Sequence, residues 1–391
     1  GGPLPYTPDA PLNTHVTVRN SSVEDVYGDG LVLFRDSDGV IEASTAWQTG
    51  MQPTETIGTP NAIWTWTCTD CIVRDNEAFL TDSPGVDGGA YDIDWDNTRN
   101  SVERNYAHDT QGYCFAVFAA GYVTSESVVR GNLCIDNGLS PRLAAVQGAV
   151  YVHTWDHGVI RGLRMENNTI VWNPPDGSAA AIVNDAEIGG SSASFTGNWI
   201  ESAAAHFYRS NEQLAPAGNR YGYDGAGDAF FTIGERSNVT LAALQEAGIE
   251  KGTILEKRPA PAQKATSLRL DTTVDFALDA DGLLTPGARA QLMVLRSLAA
   301  QYGPEALVVA VHLRTPSGSS VDKIARANAL LDLDAGPIHF DDKKSSPGAI
   351  RLTTRDDRLL KEWHGFQNAA TLGGAVRALL GAPRFAQMAL Q

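Results

Sequence analysis

Short apolar runs recur along the first 250 residues, and each stops at an amide or small residue. VTVRN, IVRDN, SVERN, SVVRGN, RMENN and FTGN end at Asn20, Asn76, Asn105, Asn132, Asn168 and Asn198, and VIEAS ends in the same way at Ser44. A turn follows each stop, and then a second, alternating run. The steps between the stops vary from 24 to 36 residues. A common motif at irregular steps predicts a β-helix, whose strands stack while its loops vary. Each Asn is then expected to bond the equivalent turn above and below it, forming a ladder with a structural role.

The second runs align without gaps. Leu31–Phe34, Ile63–Trp66, Tyr91–Asp94, Cys114–Val117, Val150–His153 and Ala181–Asn184 form one stack. Side chains alternate along a strand. This register points Ile63, Tyr91, Ile93, Cys114, Ala116, Val150 and Val152 inward. It points Trp64, Trp66, Asp92, Asp94, Phe115, Val117, Tyr151, His153, Trp155 and Asn184 outward. One outer face thus gathers acids, aromatics and an imidazole. Along Tyr91–Asp96, Asp92, Asp94 and Asp96 share that face, while Tyr91, Ile93 and Trp95 share the other. Three carboxylates on one strand face repel each other, which suggests a ligand, a metal or a reaction.

Asp92 and Asp94 lie two residues apart, with Cα atoms roughly 6.6–7 Å apart. Such a pair can divide glycoside hydrolysis between an acid and a base or nucleophile. The competing reading is a calcium site or a solvated acidic face. Glu55, in the long stretch 46–61, is a second candidate acid. His153 and His108 are the imidazoles available to position or titrate, and His108 suits a capping or ladder role equally well. Trp64, Trp66, Tyr151 and Trp155 offer flat rings to the apolar faces of sugars, with Asn184 and Asp185 extending the surface. Asp87 and Asp96 read first as turn formers. A lyase would need a cation or basic group beside a uronate. Only Arg74, Arg99, Arg104, Arg130 or Arg142 is on offer, unless calcium at the aspartates serves.

Charge narrows the partners. Residues 1–250 hold a balance of −20 and no lysine, whereas residues 251–391 hold +4 and all seven lysines. An acidic, lysine-free surface is a poor phosphate binder, which argues against nucleic acid. Apolar runs are far too short to span a bilayer. The chain opens GGPLPYTPDAP with no visible signal peptide, and a removed leader would leave no trace. The four cysteines, Cys68, Cys71, Cys114 and Cys134, read either as buried thiols in a solenoid core or as disulfides of an exported protein. Stacking alone does not pair Cys114 with Cys134, because Cys134 follows the ladder residue Asn132 onto another sheet.

The motif G-x-A-Y-D-x-D, then N-T, then R-N-Y-x-H-D-x-x-G, at 88–112, resembles one found in bacterial right-handed parallel β-helix proteins of the pectate-lyase-like group of secreted glycan enzymes. The resemblance covers about residues 12–260. It implies secretion and an oligo- or polysaccharide substrate. That group includes hydrolases, lyases and epimerases, so it leaves the reaction open. Residues 236–265 read as a helix capped by Ser237 or Asn238, then a Pro/Ala/Lys linker. Beyond them, helices at 285–302, 321–333 and 371–380 alternate with strands at 306–312, 337–340, 349–354 and 359–366, predicting an α/β sheet. This order resembles thioredoxin-like domains, with Pro347 at the family's cis-proline position. No cysteine follows Cys134, so thiol–disulfide chemistry is excluded from that domain.

The expectation is therefore a mainly β chain: a parallel β-helix over 1–235, a capping helix and linker over 236–265, and a smaller redox-inactive α/β thioredoxin-like domain over 266–391. That domain is expected to pack on the end of the solenoid or to mediate homo-oligomer contacts. The expected function is a glycoside hydrolase using Asp92 and Asp94, with no required cofactor. A calcium-assisted lyase or epimerase and a non-catalytic glycan-binding or structural solenoid are the alternatives.

Overall fold

The computed structural model describes residues 11–51, 60–175, 178–223, 225, 228–258, 265–275, 286–314, 338–339 and 349–383. The chain divides into two compact units, Gly1–Pro259 and Ala260–Gln391. In the first unit nearly every strand pairs in parallel with the strands one coil before and one coil after it. Three long sheets of nine, nine and eight strands result. This is a parallel β-helix. The sheet that carries the acids and aromatics runs through Leu31–Phe34, Ile63–Trp66, Tyr91–Ile93, Phe115–Ala120, Val150–Trp155, Ile182–Asn184, His206–Ser210 and Phe230–Ile233. Inside the coils, Ile41, Val73, Val102, Val129, Met165 and Phe195 stack in one column, and Ala46, Ala78, Ala107, Cys134, Ile170 and Ile200 stack in another.

The amide ladder explains the recurring Asn. Asn76, Asn105, Asn132, Asn168 and Asn198 are buried. Each side-chain oxygen accepts the backbone N–H of the equivalent residue one coil earlier, at 2.9–3.0 Å. Each Nδ2 donates to the carbonyl of Ile41, Val73, Val102, Val129 or Met165. Ser21 and Ser44 begin the ladder, and Asn219 and Thr253 end it. Asn20 is not a rung, contrary to the expectation. It holds φ 53°, and every residue just before a rung does likewise: Ala43, Asp75, Arg104, Gly131, Asn167, Gly197, Gly218 and Gly252 all have positive φ. The turn therefore needs a left-handed residue followed by a ladder residue. Asn suits both places, because its short polar side chain tolerates the left-handed region.

Beside the ladder runs a column of alternating charge that the sequence reading missed. Arg19, Glu42, Arg74, Glu103, Arg130 and Glu166 occupy successive register positions. Glu42 is bonded by Arg19 and Arg74, and Glu103 by Arg104 and Arg130. Arg99 pairs with Asp70. Arg142 donates to the carbonyls of Ser83 and Gly85. The arginines considered for a lyase are thus occupied in scaffold contacts.

The observed register corrects the expected one at two rows. Phe115, not Cys114, pairs with Tyr91, and Ile182, not Ala181, pairs with Val150. Phe115 and Val117 therefore face inward, and Ala116 and Phe118 outward. Cys114 sits in the turn just before its strand and is bonded to Cys134; Cys68 is bonded to Cys71. Stacking could not reveal the first of these pairs, because it crosses the narrow interior between adjoining sheets rather than running along one.

Within 236–258 the chain forms the strand Arg236–Val239, the helix Leu241–Glu246 and the strand Ile254–Lys257, which ends one of the long sheets. Thr240 caps the helix by accepting from Ala243, whereas Ser237 and Asn238 lie in the preceding strand. In the second unit, Ile338–His339, Leu307–Arg314, Leu268–Asp275, Ala349–Thr354 and Leu359–His364 form one sheet in that order. The first three strands are parallel, and the last two antiparallel to their neighbours. Among its described residues, helix spans Pro286–Ala306, with a kink at Gly303, and Ala369–Leu380. The central strand Leu268–Asp275 is absent from the sequence reading, although LRLDTTVD alternates. The expected helix at 321–333 and Pro347 lie outside the described residues.

Candidate functional site

A cavity of about 310 Å³ opens on the outer face of the site sheet. Asp92, Asp94, Trp64, Tyr151, His153 and Trp155 line it together, as do Asn61, Val86, Asp87, Trp95, Phe118, Val146 and Gln147. The strands explain the convergence. Trp64, Asp92, Ala116 and Tyr151 are register partners on four successive coils. The small Ala116 leaves room for the Tyr113 ring, which packs against it and Phe118. Gly89 is required for the same reason: a methyl group there would lie 2.1 Å from that ring.

A hydrogen-bond network sets the acids. Asn61 is its hub. Its backbone N–H donates to Asp29 at 2.9 Å, and its Nδ2 to Asp92 Oδ2 at 3.3 Å. Its Oδ1 accepts from the Gly89 N–H and from the Tyr113 hydroxyl, which also lies 3.2 Å from Asp87. Trp64 Nε1 donates to Asp29 at 2.9 Å. Asp92 is 2% exposed, and its Oδ1 has no hydrogen-bond partner among the described residues. Burial, then the charges of Asp94, Asp87 and Asp29, push the Asp92 carboxyl well above the usual carboxylate range. Burial also raises Asp94 well above it, but Asp94 accepts the Trp95 N–H at 2.8 Å, which favours its ionised form. Asp94 is half-buried. Of the two, Asp92 therefore holds the proton more tightly, and Asp94 is the better carboxylate.

The imidazole completes the wall. His153 stacks between Tyr151 and Trp155 at 5.3 and 5.7 Å. Its Nδ1 lies 2.6 Å from Asp185. In the neutral tautomer that donates Nδ1–H to Asp185, Nε2 is the acceptor.

Other expected site residues fall elsewhere. Trp66 does not line the cavity; it packs among Phe34, Trp64 and Trp95. Asn184 is buried in register with the inward Val152, and its Nδ2 donates to Ser210. The one-residue slip at Ile182 accounts for this, since a slip of one exchanges the faces. Trp95 is the reverse case. The strand ends at Ile93 and Asp96 turns at φ 62°, which frees Trp95 from the inward alternation and brings it to the cavity. Glu55 lies outside the described residues. Asn61 and Gln147 were missed as site residues, and Asp87 was read first as a turn former. They come from loops between strands, where no periodicity marks a facing. Among the described residues no three His, Cys, Asp or Glu side chains converge to hold a metal ion.

His108 belongs to another sheet. It is fully buried, with Nδ1 2.7 Å from Asp109 and Nε2 3.3 Å from Glu77, and it stacks against Phe79 and Tyr106. Burial alone would lower its pKa, but the bonds and charges of Asp109 and Glu77 outweigh this and raise it. A raised folded value means that the stabilisation is complete below the unfolded value of about 6.5 and is lost as pH rises through the folded value. An NMR titration of the His108 ring should show the imidazolium persisting above pH 6.5. In Asp109→Asn its midpoint should fall.

Residues 12–205 match the family model described as the right handed beta helix region. No curated protein matches the chain significantly. Fold and match together define a right-handed parallel β-helix, an architecture compatible with carbohydrate-active enzymes.

Proposed function

We propose that this chain is a glycoside hydrolase acting on a neutral glycan, with its reaction in the cavity at Asp92 and Asp94. The observation that carries the reading is a pair of carboxyl groups, two residues apart, in an aromatic-walled cavity with unequal environments. Asp92 holds the proton and delivers it to the glycosidic oxygen as the C–O bond breaks. Asp94, whose ionised form the Trp95 N–H favours against the effect of burial, either takes a proton from the attacking water or itself attacks the anomeric carbon. The rings of Trp64, Tyr151 and Trp155 cover the sugar's apolar faces. His153 Nε2 accepts a hydroxyl.

Among the described residues the cavity is lined by no arginine or lysine. A lyase or epimerase must neutralise a uronate carboxylate, and here a uronate would instead meet Asp87, Asp92 and Asp94. This favours hydrolysis. Two disulfides support an extracytoplasmic protein. The strand order of the second unit supports a thioredoxin-like fold in a segment without cysteine.

The test is to incubate the full chain with neutral polysaccharides (xylan, arabinan, galactan, mannan, β-glucan) and with polygalacturonate and alginate, with and without calcium. New reducing ends from a neutral polymer, without unsaturated sugars, are expected. Unsaturated products from a uronate polymer would overturn the reading.

A further inference from the structure

We propose that Gln147 selects the sugar by reading two adjacent hydroxyls of the neutral unit whose bond is cleaved. The proposal deepens the hydrolase reading and rests on it for the placement of that unit. Gln147 lines the cavity and is 2% exposed, yet among the described residues neither Nε2 nor Oε1 has a hydrogen-bond partner. Buried polar atoms are almost always paired, so two unpaired atoms on a side chain that lines a cavity point to a ligand. Asp92, which lines the same cavity, carries a third such atom, Oδ1.

The position is held firmly. The Gln147 N–H donates to Leu143 O at 2.9 Å. The next residue, Gly148, admits no side chain, since a methyl group there would lie 2.3 Å from Ala180 O. A primary amide presents a donor and an acceptor side by side. The matching group donates one hydrogen bond and accepts another from neighbouring atoms. A vicinal diol does this. A carboxylate only accepts, so it would leave Oε1 unpaired, and it would meet the carboxyl of Asp87 in the same cavity. An ammonium only donates and would leave Nε2 unpaired.

The experiment measures binding to the full chain carrying Asp94→Asn, which slows turnover. The probes are methyl glycosides of neutral hexoses and pentoses, their monodeoxy derivatives, methyl galacturonoside and methyl glucosaminide. At least one neutral glycoside should bind, and tighter than the two charged ones. Adding Gln147→Leu should weaken it roughly ten- to a hundredfold, the loss of two hydrogen bonds. Removing either of two adjacent hydroxyls should weaken binding to Gln147 but leave binding to the Leu variant nearly unchanged. Without sugar, the Leu variant should melt no lower than its parent, because no protein hydrogen bond is lost. The deoxy series on the parent alone gives the same answer should the variant fold poorly.

The proposal is overturned if no neutral glycoside binds, if Gln147→Leu binds as well as its parent, or if the deoxy penalties persist in the variant. Tighter binding of the glucosaminide, unaffected by Gln147→Leu, would also overturn it. Failure of the hydrolase reading looks different. Asp92→Asn and Asp94→Asn would then keep full turnover while the coupling to Gln147 remained.

Discussion

Asp92→Asn and Asp94→Asn should each lower turnover on the substrate glycan by roughly 10²- to 10⁴-fold, the range for a positioned acid or base. Folding should not suffer. Asp92 is buried among like charges, with one oxygen unpartnered among the described residues. Its carboxyl is raised in the folded state, so its contribution to stability is complete below the unfolded value of about 3.9 and is lost as pH rises through the folded value. Asparagine mimics the neutral form at every pH. Asp92→Asn should therefore melt at or above the parent, with a difference larger at pH 8 than at pH 5. Calorimetry at the two pH values checks this. A structural calcium site gives the opposite result: both variants would melt lower, and a chelator would reproduce the loss in the parent. If both variants keep full activity, the reaction lies elsewhere, and Glu55 is the next residue to replace.

The second large effect is expected at the ladder. The Asn132 side chain accepts from the N–H and Nδ2 of Asn105 and donates to Val102 O and Asn168 Oδ1. Asn132→Leu removes both functions inside the coil and leaves the Asn105 N–H and the Val102 carbonyl buried without that partner. An orphaned buried group costs about 1–3 kcal/mol, so the variant should lose roughly 3–5 kcal/mol in total. Stability in a solenoid is largely a sum over neighbouring coils. Hydrogen exchange should therefore rise first at Asn105 and Asn168 rather than uniformly. Asn20→Gly is the contrast. Residue 20 precedes a rung and holds a left-handed backbone, which glycine adopts freely. It should cost about 1 kcal/mol or less, well below Asn132→Leu. Equal losses in the two variants would mean that the ladder bonds carry little net stability.

The two predictions divide the molecule into what repeats and what does not, and the same division separates what could be read from the chain. The β-helix, its rungs at Asn76, Asn105, Asn132, Asn168 and Asn198, and the outward setting of Trp64, Asp92 and Tyr151 all follow from local alternation and a recurring turn. Each coil imposes the same two requirements, a buried column and a paired turn, so the signal repeats and adds. Asn20 misled because the left-handed site and the rung site both favour Asn, and their order is visible only once the hydrogen bonds are placed.

The cavity was legible in part. Asp92, Asp94, Trp64, Tyr151, His153 and Trp155 share a face by simple alternation. Trp66 shares that alternation but is taken up by neighbouring rings, and Asn184 was lost to a slip of one residue. Alternation fixes a face only while the register holds, and register depends on where each loop ends. Tertiary structure alone decided the rest. Asn61, Asp87 and Gln147 arrive from loops of different length, and Cys114 reaches Cys134 across the interior. Such contacts are set by how closed coils stack, which the order of residues within one coil does not encode.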